Sequence, residues 1–388
     1  MKIEYFNTPK PEILNPSILP AAAAFLSHVP DFKFLEDSAK KYAKYKNIII
    51  LGHGGSITSI YGFYNALKYQ AKKHLEFLST VDPDAIAAIK QTYNPQETLV
   101  LVISKSGDTV TLLEMFSQFL EYPMLVVTGA NSSLRAMAEK LQLPVADHPP
   151  IGGRYVGLTE VALLPASLAG LQAEEMYDGA AAMYAQYEKG NAAWQMASVM
   201  WQLEQQGYVD VFMPFYSHNL FPMSALIVQL CHESFGKEGR GQTYFAHEAP
   251  ESQHHTNQRF FGGPKNICGI FTTVENFQNN TVVEYPENVQ EVWIKSIQLK
   301  DINSIPLAKA INFEAHGSME DARIHGIPLV HISLDSVSPE EVGALTAFWQ
   351  MYAVYASALR NVDPFNQPQV ENSKAISFHK RLQFKGVL

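Results

Sequence analysis

The segment "LGHGGSITS" (51–59) has the residue types of a loop that binds a phosphate group. Its glycines, among them Gly55, let the backbone approach a ligand closely, and Ser56 offers a hydroxyl where a helical pattern starts. N–H groups at the start of a helix attract anions because they have no partners within the helix. The spacing is neither GxGxxG nor a Walker loop, so a capped tight turn explains this segment alone equally well.

A second segment with the same character follows the apolar run at 98–103. It consists of small or polar residues directly before another helical pattern: Ser104, Lys105, Ser106, Gly107, Asp108 and Thr109. Each hydroxyl by itself could be an ordinary helix cap. Two such loops on neighbouring strands of one sheet favour a site for a phosphate ester, held by hydroxyl and backbone donors without a basic patch.

Glu233 and two histidines are the candidates for proton transfer. Glu233 lies near the end of an apolar helical pattern in "CHESFGKEG" (231–239), and apolar neighbours make a carboxylate a stronger base. A solvated glutamate at a helix end is the simpler alternative. His254 and His255 are adjacent in "ESQHHTNQRFFGGPKN" (251–266), and histidine is the usual proton shuttle near neutral pH. No second ligand stands at a metal-binding spacing from either histidine, so we predict no metal site.

Arg154, Gln367 and Lys374 are further polar candidates that stand close to glycine or proline. Arg154 follows two glycines in "PIGGRYVGLTE", and an arginine in such a place can stabilise developing negative charge. Gln367 and Lys374 belong to "NVDPFNQPQVENSK" near the end of the chain. Lys374 could equally be an ordinary surface lysine.

Composition and charge exclude several classes of protein. The chain has 388 residues, 47% of them hydrophobic, which suits two domains of roughly 150–200 residues each. Its net charge of −9 leaves no general basic surface for nucleic acid, and no apolar stretch is long enough to span a membrane. Cys231 and Cys268 form neither a disulfide framework nor a metal spacing, so we expect a reducing, cytoplasmic setting.

Apolar runs alternate with helical patterns along the chain, and these elements must position the candidate residues. Six runs have the continuous apolar character of buried strands: 47–55, 98–107, 123–133, 208–216, 266–274 and 328–334. The alternation predicts an α/β fold whose parallel sheets are covered by helices on both faces, a three-layer αβα sandwich. Ligands in such folds bind at the carboxyl ends of the strands, where the two polar loops would meet.

The helical patterns divide the chain into two α/β units and a tail. The segment from about 174 to 205 reads as helical and separates two sets of strands. The last long helix should begin at Ser338, a favourable N-cap before Pro339, and should be mostly buried. We therefore predict a first domain, a second domain and a C-terminal segment over residues 1–180, 181–360 and 361–388.

Six motifs, in order along roughly residues 50–375, resemble those of the phosphoglucose isomerase family. "GHGGS" resembles the GxGGS loop of that family, "SKSGDTVT" its SKTxxTxET-type phosphate loop, and "IGGRYV" its VGGRYS signature. "CHESFGK" is similar to MESNGK, "SQHHTNQRFFGGP" to DQHSQxQLYxxGP, and "DPFNQPQVENSK" to NPFDQPGVExxK. The resemblance implies two sugar isomerase (SIS) domains and the reversible isomerisation of glucose 6-phosphate and fructose 6-phosphate through an enediolate.

The resemblance also implies a role for each candidate residue. Glu233 stands at the position of the base that moves a proton between C1 and C2, and Arg154 at that of the arginine that stabilises the enediolate. His254 and Lys374 stand at the positions that assist opening of the sugar ring. The substrate-binding positions are those of Gly55, Ser56, Ser104, Lys105, Ser106, Thr109 and Gln367.

The chain departs from the family pattern at two places near these residues. Phe235 replaces the asparagine of MESNGK, which bears on the packing behind the base. Asp108 brings a negative charge into the phosphate loop, unless it caps a helix and faces away. The family shares its active site between two subunits, so the resemblance implies a homodimer in which the histidine comes from the neighbour. It implies a small-molecule sugar phosphate as partner and no cofactor.

Two other functions stay open from the sequence. The first is a dual phosphoglucose/phosphomannose isomerase, which would differ in the room around C2 of the sugar. The second is a non-catalytic SIS-domain sensor that binds a sugar phosphate without converting it. A sensor should lack at least some of the base, the histidine and the lysine, whereas Glu233, His254 and Lys374 are all present.

Overall fold

The computed structural model describes residues 1–20 and 23–387, in which helices and strands alternate as two α/β halves. The first half contains β1 (Lys2–Phe6), α1 (Phe32–Lys41), β2 (Asn47–Leu51), α2 (Gly55–Ala66), β3 (His74–Leu78), α3 (Pro83–Thr92), β4 (Thr98–Ser104), α4 (Val110–Ser117), β5 (Met124–Thr128), α5 (Ser133–Lys140), β6 (Val145–Asp147), α6 (Glu160–Ala169) and α7 (Ala173–Tyr184). The second half contains α8 (Ala192–Gln205), β7 (Asp210–Phe215), α9 (Ser224–Phe235), β8 (Thr243–Glu248), α10 (Thr256–Gly262), β9 (Ile267–Val274), β10 (Trp293–Ile294), β11 (Ile297–Gln298), α11 (Leu307–Ile324), β12 (Leu329–Leu334), α12 (Pro339–Arg360) and α13 (Glu371–Phe384).

The first sheet is parallel throughout, in the order β3-β2-β4-β5-β6. Every residue of β4 is buried, as expected of a strand covered on both faces. Successive side chains of a strand point to opposite faces, so Ile48 and Ile50 of β2 enter one apolar cluster while Ile49 and Leu51 enter another. The predicted parallel sheet between helical layers is therefore confirmed for this half.

The second sheet has the order β1-β12-β9-β7-β8. Four of its strands are parallel, and β1 joins them as an antiparallel edge strand, with Lys2 opposite Ser333 and Phe6 opposite Leu329. The N-terminal strand thus pairs with the sheet of the second half. All six apolar runs predicted as strands lie in these two sheets, as β2, β4, β5, β7, β9 and β12.

The two halves are less separate than the predicted domain limits imply. The limit between residues 180 and 181 falls inside α7, and β1 lies in the second sheet. Residues 21–22 of the predicted first domain, and Leu388 at the end of the predicted C-terminal segment, lie outside the described part of the chain.

One apolar core joins the halves, because α2, α6, α7, α8, α9 and α12 share a cluster with the facing sides of both sheets. The helices α7 and α12 cross so closely that an added Cβ at Gly343 would lie 1.8 Å from the Met176 carbonyl oxygen. As predicted, the Ser338 hydroxyl caps α12 by accepting the Glu341 N–H at 3.2 Å, and the helix is mostly buried. Among the residues described, no helix combines the length and the apolar character that crossing a membrane requires.

Candidate active site

A cavity of about 440 Å³ lies at the carboxyl ends of β2 and β4. In the first sheet, β3 lies on the outer side of β2, and β5 and β6 lie on the outer side of β4, so the strand order reverses between β2 and β4. Open α/β sheets bind ligands at such a switch point. We call it the loop cavity, and it is lined by His53, Ser56, Ile103, Ser104, Lys105, Ser106, Thr109, Leu112, Gly153, Gln367, Glu371 and Lys374. The fold thus brings together both predicted loops and the two candidates from the end of the chain.

The helices α2 and α4 both start at this cavity. In α2, the N–H groups of Ser56, Ile57 and Thr58 donate to the carbonyl oxygens of His53 and Gly54. In α4, Thr109 makes no side-chain capping hydrogen bond within the described residues, and the N–H groups of Val110 and Thr111 have no hydrogen-bond partner there. An anion in the cavity can therefore receive hydrogen bonds that a cap would otherwise take. Gly54 has a φ of +52°, and an added Cβ would lie 2.9 Å from the Gln229 amide nitrogen, so glycine is required here.

The second loop is shaped by its own hydroxyls. The Ser104 hydroxyl accepts the Gly107 N–H at 3.1 Å, and Gly107 has a φ of +65° that favours glycine. Asp108 turns away from the cavity, and its carboxylate accepts the N–H of Ser133 in the first turn of α5 at 3.3 Å. The negative charge of Asp108 therefore lies at a helix start and does not line the loop cavity.

Gly55 does not line the loop cavity, although its loop does. Its backbone lies against the short 3-10 helix Gly153–Tyr155, where an added Cβ would come within 1.9 Å of the Gly153 carbonyl oxygen. This contact allows the start of α2 to approach the turn that carries Arg154. The structure therefore gives Gly55 a packing role, as the point where the loop and the arginine turn meet.

Arg154 and Glu233 form an ion pair beside the loop cavity. The Arg154 Nε donates to Glu233 Oε2 at 3.0 Å, and its Nη1 donates to the carbonyl oxygens of Glu233 at 3.0 Å and Pro364 at 2.6 Å. The guanidinium is buried, whereas 31% of the Glu233 side chain is exposed. Arg154 thus holds the end of α9 against the C-terminal segment and leaves the carboxylate within reach of a ligand.

Glu233 does not sit among apolar neighbours, so that part of the sequence-based argument was wrong. Its Oε2 faces Arg154, and its Oε1 accepts from the Gln229 amide at 3.1 Å. The side-chain oxygen Oε1 of Gln229 in turn accepts from the Thr58 hydroxyl of α2 at 2.8 Å. Both carboxylate oxygens are therefore oriented, the second through the helix that starts at the loop cavity.

Gln229 and Lys237 are site residues that the sequence analysis missed. Gln229 precedes Glu233 by four residues, which puts both side chains on one face of α9 and could have indicated it. Lys237 is buried and donates to the carbonyl oxygens of Asp363 at 2.6 Å and Asn366 at 2.8 Å. Burial lowers the pKa of Lys237. It anchors the same C-terminal loop as Arg154, a contact between distant parts of the chain that spacing does not reveal.

Phe235, the departure behind the base, is fully buried in an aromatic group. Its ring lies 5.8 Å from Tyr244 and 6.1 Å from Tyr352, and the Arg360 guanidinium stacks over it at 4.6 Å. Phe235 therefore supports the end of α9 through packing and a cation–π contact, in place of the hydrogen bonds an asparagine would make.

Gln367 and Lys374 reach the loop cavity from the C-terminal segment. The side-chain oxygen Oε1 of Gln367 accepts from Arg154 Nη2, which ties this residue to the arginine turn. Lys374, in the first turn of α13, is exposed and pairs with Glu371 at 2.8 Å. Both residues thus lie at the rim of the cavity that holds the phosphate-loop hydroxyls.

His254 and His255 do not line the loop cavity of their own chain. Both are exposed, in the segment between β8 and α10 of the second sheet. The neighbouring Gln253 fixes this segment by donating to Tyr216 at 3.0 Å and Ser318 at 3.1 Å. Within residues 1–20 and 23–387, no group of three or more His, Cys, Asp or Glu side chains could hold a metal ion.

Comparison with known proteins finds a matching family model and similar curated relatives. The family model described as "Phosphoglucose isomerase" matches residues 36–268, which is more than half of the chain. The glucose-6-phosphate isomerase of Carboxydothermus hydrogenoformans is 28% identical, over 86% of this chain and 78% of its own length.

Two solved structures share the fold. A hypothetical protein from Thermus thermophilus superposes with a TM-score of 0.84 at 24% identity, covering 92% of this chain and 89% of the other. A glucose-6-phosphate isomerase from Chlamydia trachomatis superposes with a TM-score of 0.78 at 20% identity, covering 92% of this chain and 72% of the other. At these identities the similarity establishes the arrangement of the two halves.

Proposed function

The chain belongs to the phosphoglucose isomerase family, and from that premise we propose that it is a glucose-6-phosphate isomerase. It interconverts glucose 6-phosphate and fructose 6-phosphate, an aldose and a ketose that differ in the position of one carbonyl. The observation that carries the proposal is the loop cavity, where the uncapped start of α4 and a set of hydroxyls adjoin the ion pair between Arg154 and Glu233.

The phosphate group supplies binding energy without reacting. Ser56, Ser104, Ser106 and Thr109 offer hydroxyls, Lys105 offers a positive charge, and the start of α4 offers N–H groups. Held at this end, the sugar presents C1 and C2 in one orientation, so each proton transfer becomes intramolecular. Gln367 at the rim contacts the sugar itself.

Glu233 takes the proton from C2 of the open-chain aldose and returns it to C1. The carbon acid is weak, so the enediolate must be stabilised by a charge that is already in place. Arg154 meets this need because its guanidinium is buried and oriented by four separate acceptors besides Glu233 Oε2: the carbonyl oxygens of Glu233, Pro364 and Asn366, and Gln367 Oε1. Its charge interacts most strongly with the oxygen that becomes negative in the transition state, which raises the rate of turnover.

Ring opening comes before isomerisation, and Lys374 and His254 assist it. Lys374 lies at the rim of the loop cavity, whereas His254 lies on the exposed surface of the second half. That separation within one chain supports a homodimer in which each subunit delivers its histidine to the loop cavity of the other. We further propose a cytoplasmic location, where sugar phosphates are metabolised.

The direct test is a coupled assay of the purified protein with glucose 6-phosphate, in the presence of a metal chelator. We expect fructose 6-phosphate to form, because proton transfer by a carboxylate needs no metal. Mannose 6-phosphate, tested alongside, separates a strict phosphoglucose isomerase from a dual enzyme. Tight binding of both sugar phosphates without conversion would instead identify a sensor.

A further inference from the structure

His53 lines the loop cavity beside the two hydroxyl-bearing loops. It lies between the end of β2 and the start of α2, with Gly52 before it and Gly54 after it. An imidazole can donate or accept a hydrogen bond at either nitrogen and gains a charge near neutral pH. A histidine at this point of a phosphate site is therefore able to take part in binding.

Only one of the two ring nitrogens of His53 is occupied. Nε2 lies 2.8 Å from the hydroxyl of Thr111, in the first turn of α4, so the ring spans the gap between the two loops. Among the residues described, none forms a hydrogen bond with Nδ1, and this atom is not closed off from solvent. The fixed nitrogen orients the ring, and the second remains available to a ligand.

The charged groups that line the loop cavity are Lys105 and Lys374, with Glu371 paired to the latter, and the ion pair between Arg154 and Glu233 lies beside it. Burial lowers the pKa of the His53 imidazole. Before a ligand binds, the ring is therefore mostly neutral at neutral pH. A phosphate dianion beside Nδ1 reverses this preference, because a nearby negative charge favours the protonated ring.

We propose that His53 binds the phosphate of the substrate through Nδ1 and takes up a proton as the dianion enters. The inference rests on the proposed function, since it concerns the phosphate of the same ligand. Thr111 fits both states of the ring, because its hydroxyl can donate to a neutral Nε2 and accept from a protonated one. Phosphate affinity in this protein thus depends on the protonation of one residue beside the hydroxyl loops.

The sign of the pH dependence follows from this linkage. The protonated ring binds the dianion more strongly, so the contribution of His53 grows as the pH falls toward the pKa of the free ring. The phosphate ester itself protonates with a pKa near 6, which weakens binding at low pH in every variant. The comparison of wild type with a variant at the same pH removes the second effect.

The test is calorimetric titration with sorbitol 6-phosphate, which carries the phosphate but has no carbonyl to isomerise. Titrations in two buffers of different ionisation enthalpy, at pH 6.5 and 8.0, give both the affinity and the number of protons taken up. For His53→Asn we expect roughly tenfold weaker binding at pH 6.5, a smaller loss at pH 8.0, and less proton uptake than in wild type. His325→Asn, at the exposed end of α11, is the matched control and should behave as wild type.

Equal affinity and equal proton uptake in wild type and His53→Asn, with isomerisation intact, would overturn this inference and leave the isomerase standing. A wild-type protein that neither binds sorbitol 6-phosphate nor isomerises glucose 6-phosphate would overturn both. If His53→Asn does not fold, His53→Gln serves in its place, because its amide can still meet Thr111 but cannot take up a proton. Unchanged proton uptake in that variant would count against the proposal.

Discussion

At the scale of single residues, Glu233 is the proposed base, and both of its carboxylate oxygens are oriented by hydrogen bonds. Arg154 holds one oxygen and Gln229 the other, and only Arg154 carries a charge. Arg154 and Gln229 hold the carboxylate in one orientation, and the buried guanidinium is in place to stabilise the enediolate that would form in the proposed reaction.

Glu233→Gln should remove turnover and keep binding. The amide has the shape of the carboxylate but cannot accept the C2 proton, so we expect the rate to fall by roughly 10²–10⁴-fold. The affinity for sorbitol 6-phosphate, measured by calorimetry, should change by no more than about threefold, because the phosphate is held elsewhere. Glu238→Gln, an exposed residue on the loop after α9, is the control and should stay active. Near-normal turnover in Glu233→Gln would rule out the assigned base.

At the scale of elements, α13 carries Lys374 but is weakly attached. None of its residues is buried, and a gap of about 610 Å³ is bordered by α3, α4 and Arg381. Its side-chain link to α4 is a two-point ion pair, in which Arg381 Nη2 lies 2.7 Å from Glu114 Oε2. Lys374 and Arg381 are seven residues apart, which is two helical turns, so they lie on the same side of α13. The ion pair between Arg381 and Glu114 therefore fixes the position of Lys374 at the rim of the loop cavity.

Arg381→Gln should lower turnover without unfolding the protein. Losing the pair lets α13 move, and a misplaced Lys374 should slow conversion of cyclic glucose 6-phosphate by roughly tenfold. An exposed pair contributes at most about 1 kcal/mol to the free energy of unfolding, so denaturant midpoints should barely change. Arg323→Gln, which breaks an exposed pair on α11, is the control. Turnover equal to wild type in Arg381→Gln would show that α13 is held by other means.

The crossing of α7 and α12 offers a test of packing. Gly343→Ala puts a methyl group where the Met176 carbonyl oxygen already lies, so we expect a loss of about 1–3 kcal/mol in the free energy of unfolding. Gly317→Ala, in the exposed middle of α11 with no atom within 4 Å of the new Cβ, is the matched control. It should stabilise the protein by up to about 1 kcal/mol. Urea unfolding gives the free energy of unfolding of each variant. Equal values for Gly343→Ala and Gly317→Ala would contradict the close crossing of α7 and α12.

Which elements could be predicted from the sequence depends on their burial. The six strands read as apolar runs are covered on both faces, which is why their sequences are continuous in apolar residues. The strands β1, β3, β6 and β8 were not predicted, because all four lie at a sheet edge and mix polar with apolar residues. The pairing of β1 with β12 joins the two ends of the chain and leaves no local signal.

The candidate site was predicted where it depended on local motifs. Both loops, with Ser56, Ser104 and Thr109, carry their signal in a few adjacent residues at strand ends. The contact of Lys237 with the loop 363–366, by contrast, joins distant parts of the chain and appears only in the folded protein. Gly55 was predicted as a ligand contact because composition does not separate close approach to a ligand from close approach to another turn.

At the scale of the whole molecule, the two halves share a core, while the candidate catalytic groups are divided between the loop cavity and the exposed surface of the second half. The helices between the sheets form one apolar cluster, so the halves cannot move apart freely. His254 nevertheless lies outside the loop cavity, on the exposed side of the second half. A site completed by a second subunit accounts for both observations.

Mixed subunits test that arrangement. Glu233→Gln and His254→Ala should each be inactive toward cyclic substrate as homodimers. When the two variants are unfolded together and refolded in equal amounts, half of the dimers contain one subunit of each variant. In each of these mixed dimers, one of the two sites contains both intact residues. We therefore expect about a quarter of wild-type turnover. No recovery, with mixed dimers shown to form, would mean that each chain supplies both residues to its own site.

The proposed isomerisation depends on proton transfer between adjacent carbons of a sugar whose phosphate is held in the loop cavity. The most direct measurement is nuclear magnetic resonance of glucose 6-phosphate converted by the wild-type protein in deuterium oxide. We predict that fructose 6-phosphate forms and that deuterium appears at its C1, because a proton held on Glu233 exchanges with solvent before it is returned. Conversion without any deuterium at C1 would contradict a proton that exchanges with solvent on Glu233, and the absence of conversion would contradict the isomerase activity.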